Sequence, residues 1–263
     1  MVCEARMMRV PLTKMHGAHN DFVILDRRVA PLRDLAAFAR WVCDRHAGVG
    51  ADGLIALEAS QRADVRMRTI NADGSEAEMC GNGIRCAARW LDETGHPGPI
   101  DFESVGAVVR AEVVTRAPEY LVRVAMGRPQ VRPIALPDLD GAFFVDLGNP
   151  HVVGLVTDVD AVDLPSLAER IQTAFPSGAN VHVATPRGRD SMRVRHWERG
   201  VGLTMACGTG AVACAAVALR SGAADPPVEV RVPGGRLVVE WDGSGDAYLT
   251  GPAARVFDTE VEA

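Results

Sequence analysis

Two cysteines in this chain occupy the same short setting: "CGNG" begins at Cys80 and "CGTG" at Cys207. Each is followed by an apolar run rich in alanine, "IRCAARWL" in one case and "AVACAAVALR" in the other. A thiol at the start of a helix meets unpaired backbone N–H groups and the positive end of the helix dipole, which favour the thiolate. Glycines beside it let a ligand approach the backbone closely, and the same N–H groups can hold a carboxylate. Such a turn offers a base and an anion cradle together. A lone free cysteine is most often a small buried residue, but two in matching turns point to a working pair. Cys3, Cys43, Cys86 and Cys214 show no such pattern and read as buried residues.

The elements around the two thiols repeat as well. Cys80 and Cys207 lie 127 positions apart, and "VGADGLIAL" around Gly53 lies over "PSGANVHVA" around Asn180 at the same offset. "GAHNDFVIL" around Asn20 lies over "DLGNPHVVG" around Asn149 at an offset of 129, and Gly127 lies over Gly251 at 124. The helix-like stretches "LRDLAAFARWVCDR" and "LPSLAERIQTAF" fall in equivalent places. Common order and near-constant spacing predict two similarly folded halves. Between the helices the chain reads as short strands such as "FVILD", "GLIAL", "VHVAT", "MRVRHW" and "RLVVEW", punctuated by Gly, Pro, Asp and Asn. Many strands with few helices predict an α+β fold. The runs after Cys80 and Cys207 are apolar on nearly every face, as a helix enclosed by strands is. The expectation is therefore two similarly folded halves, each a curved sheet or barrel around a central apolar helix. The halves are expected at 1–127 and 128–254, divided at the Pro- and Arg-rich "GRPQVRPIALP".

Composition excludes several other functions. The chain has 263 residues, 48% hydrophobic and 24% charged, with a formal charge of -6 spread along its length. No basic cluster interleaved with aromatics suggests a nucleic-acid surface. Lys14 is the only lysine, so Schiff-base chemistry is improbable unless Lys14 itself serves. No Cys/His grouping has zinc-site spacing, so no metal is expected. The opening "MVCEARMMRVPLTKMHG" contains no apolar core of signal-peptide length, and "AVACAAVAL" is far short of a membrane span. A cytoplasmic protein with reduced thiols is expected.

A cysteine protease would need a histidine and an orienting partner, and spacing assigns no such trio. The symmetry suggests a different use of two thiols. One, as thiolate, takes a proton from one face of a carbon, and the other, as thiol, delivers a proton to the opposite face. That inverts a stereocentre and implies no cofactor.

The blocks "MHGAHNDFVILD", "RHAGVGADGL", "NADGSEAEMCGNGIRCAA", "GNPH", "ANVHV" and "ERGVGLTMACGTGAVACAA" together resemble the diaminopimelate epimerase family, cofactor-independent isomerases of lysine and peptidoglycan-precursor biosynthesis. The resemblance spans nearly the whole chain. It implies two pseudo-symmetric halves with the active site in the cleft between them, a last strand near Arg255–Ala263 that packs on the first half, and a homodimer. It also implies that Cys80 removes the proton in the LL to meso direction while Cys207 supplies one. Gly81, Asn82, Gly208 and Thr209 would present amides to the reacting carboxylate. Asn20, Asn71, Asn149, Asn180, Glu198 and Arg199 match substrate-contacting positions, with Arg199 suited to the distal carboxylate and Glu198 to the distal ammonium. His151 also matches, without an assigned role. From the residues alone, the asparagines of "HND" and "GNP" read as turn residues and Glu198–Arg199 as a solvated pair. Two departures stand out: His19 where the family usually has Gly, and Leu203 where it usually has Glu. The nearest alternative is a related two-cysteine, PLP-independent racemase acting on another amino acid. A thiol peroxidase or redox sensor and a noncatalytic binding protein for dibasic amino acids are the readings from other classes.

Overall fold

The computed structural model describes residues 8–77 and 79–262, so Cys3 lies outside the described residues. The chain divides into two units, one running to Tyr120 and resuming at Ala253, the other spanning Leu121–Pro252.

In the first unit, strands β1 (Arg9–Gly17) and β2 (Asn20–Asp26) form a hairpin. Its two-residue loop, Ala18 and His19, has φ values of 53° and 65°. A hairpin loop this short requires the left-handed region at both residues, so His19 takes a conformation that glycine would adopt without strain. Helix α1 (Leu35–Val42) starts at Asp34, whose carboxylate accepts the Ala37 N–H at 2.9 Å. Strand β3 (Gly53–Glu58) runs parallel to β2, and β4 (Val65–Asn71) runs antiparallel to β3. Then come β5 (Glu76–Ala77) on β4, helix α2 (Gly81–Glu93), β6 (Ile100–Ser104) parallel to β4, and β7 (Ala107–Thr115) antiparallel to β6. The apolar run "GLIAL" of β3 is buried throughout because both its faces are covered. Leu54 and Ala56 pack with Leu35, Phe38 and Val42 of α1, each large apolar side chain contributing about 1.5–3 kcal/mol by burial. Ile55 faces Gly83 of α2.

The second unit starts with β8 (Leu121–Ala125), β9 (Gln130–Pro133), β10 (Phe143–Asp146) and β11 (Pro150–Leu155). Helix α3 (Leu164–Gln172), β12 (Asn180–Pro186), β13 (Ser191–Glu198) and the short β14 (Gly202–Thr204) follow. Helix α4 (Gly208–Arg220) leads to β15 (Val228–Val232), β16 (Gly235–Glu240) and β17 (Tyr248–Pro252). Pairing gives the order β9-β10-β11-β12-β13-β15-β16-β17-β8, with β14 on β13. Helix α4 is buried from Gly208 to Ala218 and meets strands along most of this sheet. Its small residues allow that enclosure. Helix α2 is enclosed less completely, since Arg89, Trp90 and Glu93 keep an outer face partly open.

The strand relationships of the first unit recur in the second. Antiparallel β1/β2, parallel β2/β3, antiparallel β3/β4, parallel β4/β6 and antiparallel β6/β7 match β10/β11, β11/β12, β12/β13, β13/β15 and β15/β16 in sense. The division falls at Tyr120/Leu121 and not after Gly127, because β8 pairs with β17, Leu121 opposite Pro252. The last strand, β18 (Ala254–Glu262), pairs with β1 of the first unit. Among the described residues, no helix is long and apolar enough to cross a membrane.

Candidate active site

Cys80 is the N-cap of α2. Its extended backbone (φ -132°, ψ 97°) and its Sγ, which accepts the Gly83 N–H at 3.4 Å, start the helix as a serine would. The amides of a helix's first turn have no partner within the helix, so the thiol and a set of donors share one end of α2. The Asn82 side chain donates through Nδ2 to Asn20 Oδ1 at 3.1 Å and accepts Arg85 Nη2 at 2.9 Å. Asn20 Nδ2 donates to Asp52 Oδ2 at 2.8 Å, and Arg45 Nη2 bonds both Asp52 and Asp21 at 2.9 Å. Burial pushes the Asp21 carboxyl up, but hydrogen bonds from Arg45 and Lys14 outweigh it and hold Asp21 well below the usual carboxylate range. Lys14 is 7% exposed, bonding Asp21 at 2.6 Å and the Gly50 carbonyl. The only lysine is therefore committed to an ion pair. Asn71 stands at the exposed end of β4, in register with Gly53, and its Nδ2 donates to Ser75 Oγ at 2.9 Å.

The second unit repeats the capped turn. Cys207 (φ -122°, ψ 114°) is the N-cap of α4, and its Sγ accepts the Gly210 N–H at 3.4 Å and lies 3.5 Å from Thr209 Oγ1. The helix start favours the thiolate, but burial opposes it at Cys207. Burial pushes the Cys207 thiol well above the usual range and the Glu198 carboxylate adds to this, outweighing the Thr209 hydroxyl and the Gly210 amide. Glu198 thus lies beside the thiol. The reason is local: β14 turns back on the end of β13, setting Gly202 opposite Glu198 just before the chain enters the Cys207 turn. Asn180 is buried, donating through Nδ2 to the Pro150 carbonyl at 3.1 Å and accepting the Arg199 N–H at 3.0 Å. Arg199 donates through Nη1 to the Ser177 carbonyl at 2.9 Å, and its stem lies over Gly178, where a Cβ would come within 2.6 Å of Cδ. Asn149 Oδ1 lies 2.8 Å from His151 Nε2, and His151 Nδ1 lies 2.8 Å from His182 Nε2. Both ring nitrogens of His151 are occupied and the residue is wholly buried, so it supports Asn149 and does not face a ligand. Leu203 is 53% exposed on β14, opposite Trp197.

Sequence reasoning missed Arg85, the wholly buried arginine of α2. Burial pushes its guanidinium down, and its electrostatic neighbours are Cys86 and Cys80. A lone Arg in the apolar run "IRCAARWL" was the available signal. The repeat gives it meaning: the position matching Arg85 in α4 is buried Val212, and the position matching Glu198 is the neutral Asn71. The two capped turns have like backbones and unlike charge.

Two units of one topology define a two-domain α+β fold, and solved structures share it. A phenazine biosynthesis protein of the PhzF family from Bacillus anthracis superposes with a TM-score of 0.76 at 19% identity, covering 97% of this chain and 99% of that one. A hydroxyproline epimerase from Agrobacterium vitis superposes with a TM-score of 0.71 at 16% identity, covering 98% and 93%. Sequence narrows the class: the profile of the diaminopimelate epimerase family matches residues 12–132 and 143–256. Diaminopimelate epimerases of Rhizorhabdus wittichii and Sphingopyxis alaskensis are each 43% identical, the first aligned over 97% of this chain and 96% of its own, the second over 95% and 96%. The chain belongs to the diaminopimelate epimerase family.

Proposed function

We propose that the protein interconverts LL- and meso-2,6-diaminopimelate without a cofactor, in lysine and peptidoglycan-precursor biosynthesis. Cys80, as thiolate, takes the α-proton from one face, and Cys207, as thiol, gives its proton to the other. The reverse reaction exchanges the roles. The amides at Gly81, Asn82, Gly208 and Thr209 receive the reacting carboxylate, so charge developing on the substrate meets two helix N-termini. Asn20, Asn71, Asn149, Asn180, Glu198 and Arg199 serve substrate recognition.

The observation that carries this reading is the charge difference between the two otherwise matched thiol turns. A guanidinium near a thiol favours thiolate, and a carboxylate beside one favours the protonated form. Arg85 accompanies Cys80, and Glu198 accompanies a Cys207 raised by burial. This charge pattern supports Cys80 as the base and Cys207 as the acid for the LL substrate.

We also infer a cytoplasmic homodimer. The five described cysteines are free thiols, which suits a reducing compartment. Among the described residues β18 pairs only with β1, and it exposes Val256 and Phe257; sedimentation at a dimer's mass is the expected result. The function is tested by supplying LL-diaminopimelate to reduced, cofactor-free protein and resolving the isomers. Appearance of the meso isomer is expected. Conversion of another amino acid but of no diaminopimelate isomer selects the related racemase instead.

A further inference from the structure

Three histidines lie beneath the first turn of α4, and the proposed proton transfers use none of them. His151 on β11, His182 on β12 and His196 on β13 have exposures of 0%, 0% and 1%. They form a continuous chain: Asn149 Oδ1 to His151 Nε2 at 2.8 Å, His151 Nδ1 to His182 Nε2 at 2.8 Å, and His182 Nδ1 to His196 Nδ1 at 2.9 Å. His196 Nε2 is buried and has no hydrogen-bond partner. Gly210, whose amide bonds Cys207, packs directly on the rings.

Packing does not require these residues. The matching positions of the first unit hold Phe22, Ile55 and Thr69, and the same strands there form the same pairs. The second unit has replaced two apolar side chains and a hydroxyl with a wholly polar line that ends on a carboxamide. Buried polar networks rigidify their surroundings when fully satisfied and destabilise them otherwise, so its direction matters. With all three rings neutral and Asn149 Oδ1 accepting, only one arrangement satisfies every contact. His151 carries its proton on Nε2, His182 carries its proton on Nε2, and His196 carries its proton on Nδ1. The end of the line is then a lone pair on His196 Nε2. The reversed order would bury an unpaired N–H, the rarer kind of orphan group.

We propose that His182 and His196, acting through His151, are positioning residues that lock the Asn149 carboxamide with Oδ1 turned to the rings and Nδ2 turned away, as a donor for substrate. The proposal rests on the reading of Asn149 as a substrate contact. Since such a contact is made to bound substrate before and during proton transfer alike, loosening it raises KM more than it lowers kcat.

The test is long-range 15N–1H correlation of the histidine side chains in the full reduced protein, without substrate, together with kinetics. Nε2–H at His151 and His182 and Nδ1–H at His196 are expected in the unaltered protein. His196→Thr, which installs the residue of the matching position, is expected to release the His182 tautomer and raise KM about five- to tenfold, the effect of one lost hydrogen bond. His196→Asn can still donate to His182 Nδ1 and is expected to restore both. Nδ1–H at His151 in the unaltered protein overturns the proposal even if His196→Thr does not fold. Unchanged KM and tautomers in a folded His196→Thr overturn it too. The tautomers are read without substrate, so an ordered line in a protein that converts no diaminopimelate isomer removes the functional reading and the role of Asn149 with it.

Discussion

Gly83 and Gly210 occupy the same place in the two capped turns, each donating its N–H to the cysteine sulfur, yet alanine should behave differently at each. A Cβ on Gly210 would lie 2.6 Å from His182 Cε1, 2.8 Å from His182 Nε2 and 2.9 Å from His196 Nδ1. Both rings are buried and hydrogen-bonded in place, so relief requires moving a ring and weakening a contact. Overpacking of this kind costs about 1–3 kcal/mol. Replacing glycine in a helix returns at most about 1 kcal/mol. At Gly83 the nearest atom is Ile55 Cδ1 at 3.1 Å, then Cys80 Sγ at 3.4 Å, and an isoleucine end can shift by a few tenths of an ångström. Net of that return, Gly210→Ala is expected to lower stability by up to about 2 kcal/mol, or up to about 4–8 °C in Tm for a chain of this size. Gly83→Ala should stay within about 1 kcal/mol of the unaltered protein. Thermal melts followed by circular dichroism measure both. Gly210→Ala melting at or above the unaltered protein, or Gly83→Ala losing as much, would refute the reasoning.

Cys80→Ser and Cys207→Ser should each lower turnover at least about a hundredfold, the scale of general acid–base catalysis, with unchanged circular dichroism; near-normal rates in either variant remove the two-base scheme. Arg85→Met should raise the pH at which Cys80 reacts with iodoacetamide, read by peptide mapping, and leave Cys207 as it was; an unmoved Cys80 profile argues against the guanidinium's role. Burial holds His151 and His196 down to about 3, helped at His151 by the nearness of His196 and Arg199, and holds His182 well below the usual range. An unfolded histidine titrates near 6.5, so below that pH the unfolded chain binds protons that the folded chain refuses. Stability should therefore fall as pH drops from about 6.5 toward 3, by up to about 1.4 kcal/mol per pH unit for each ring. Urea midpoints at pH 7.5 and 5.5 should separate less in His196→Thr than in the unaltered protein, and equal separations contradict the assignment.

The thiol turns and the duplication were legible because they are local: a cysteine, its glycines and an alanine-rich helix stand in one run, twice. The helical core at α4 was legible for the same reason, since "AVACAAVALR" is apolar on every face. The state of Cys207 was not, because burial and the nearness of Glu198 arise from the β13–β14 return and not from the turn itself. Nor was the histidine line, whose members come from three strands and meet only once β11, β12 and β13 are in register. The division of the chain depends on two late pairings, β8 with β17 and β18 with β1, which no composition shift marks. Arg85 could have been suspected from its place in an apolar helix, but only comparison with Val212 shows what it changes.

The two-base claim is tested most directly in D2O, starting from LL-diaminopimelate and stopping at low conversion. If Cys80 takes the proton and Cys207 delivers another, the meso product carries solvent deuterium at the inverted carbon while recovered LL substrate retains protium. Meso product that keeps the original protium would mean that one group removes and returns the same proton, which contradicts the assignment of separate roles to Cys80 and Cys207.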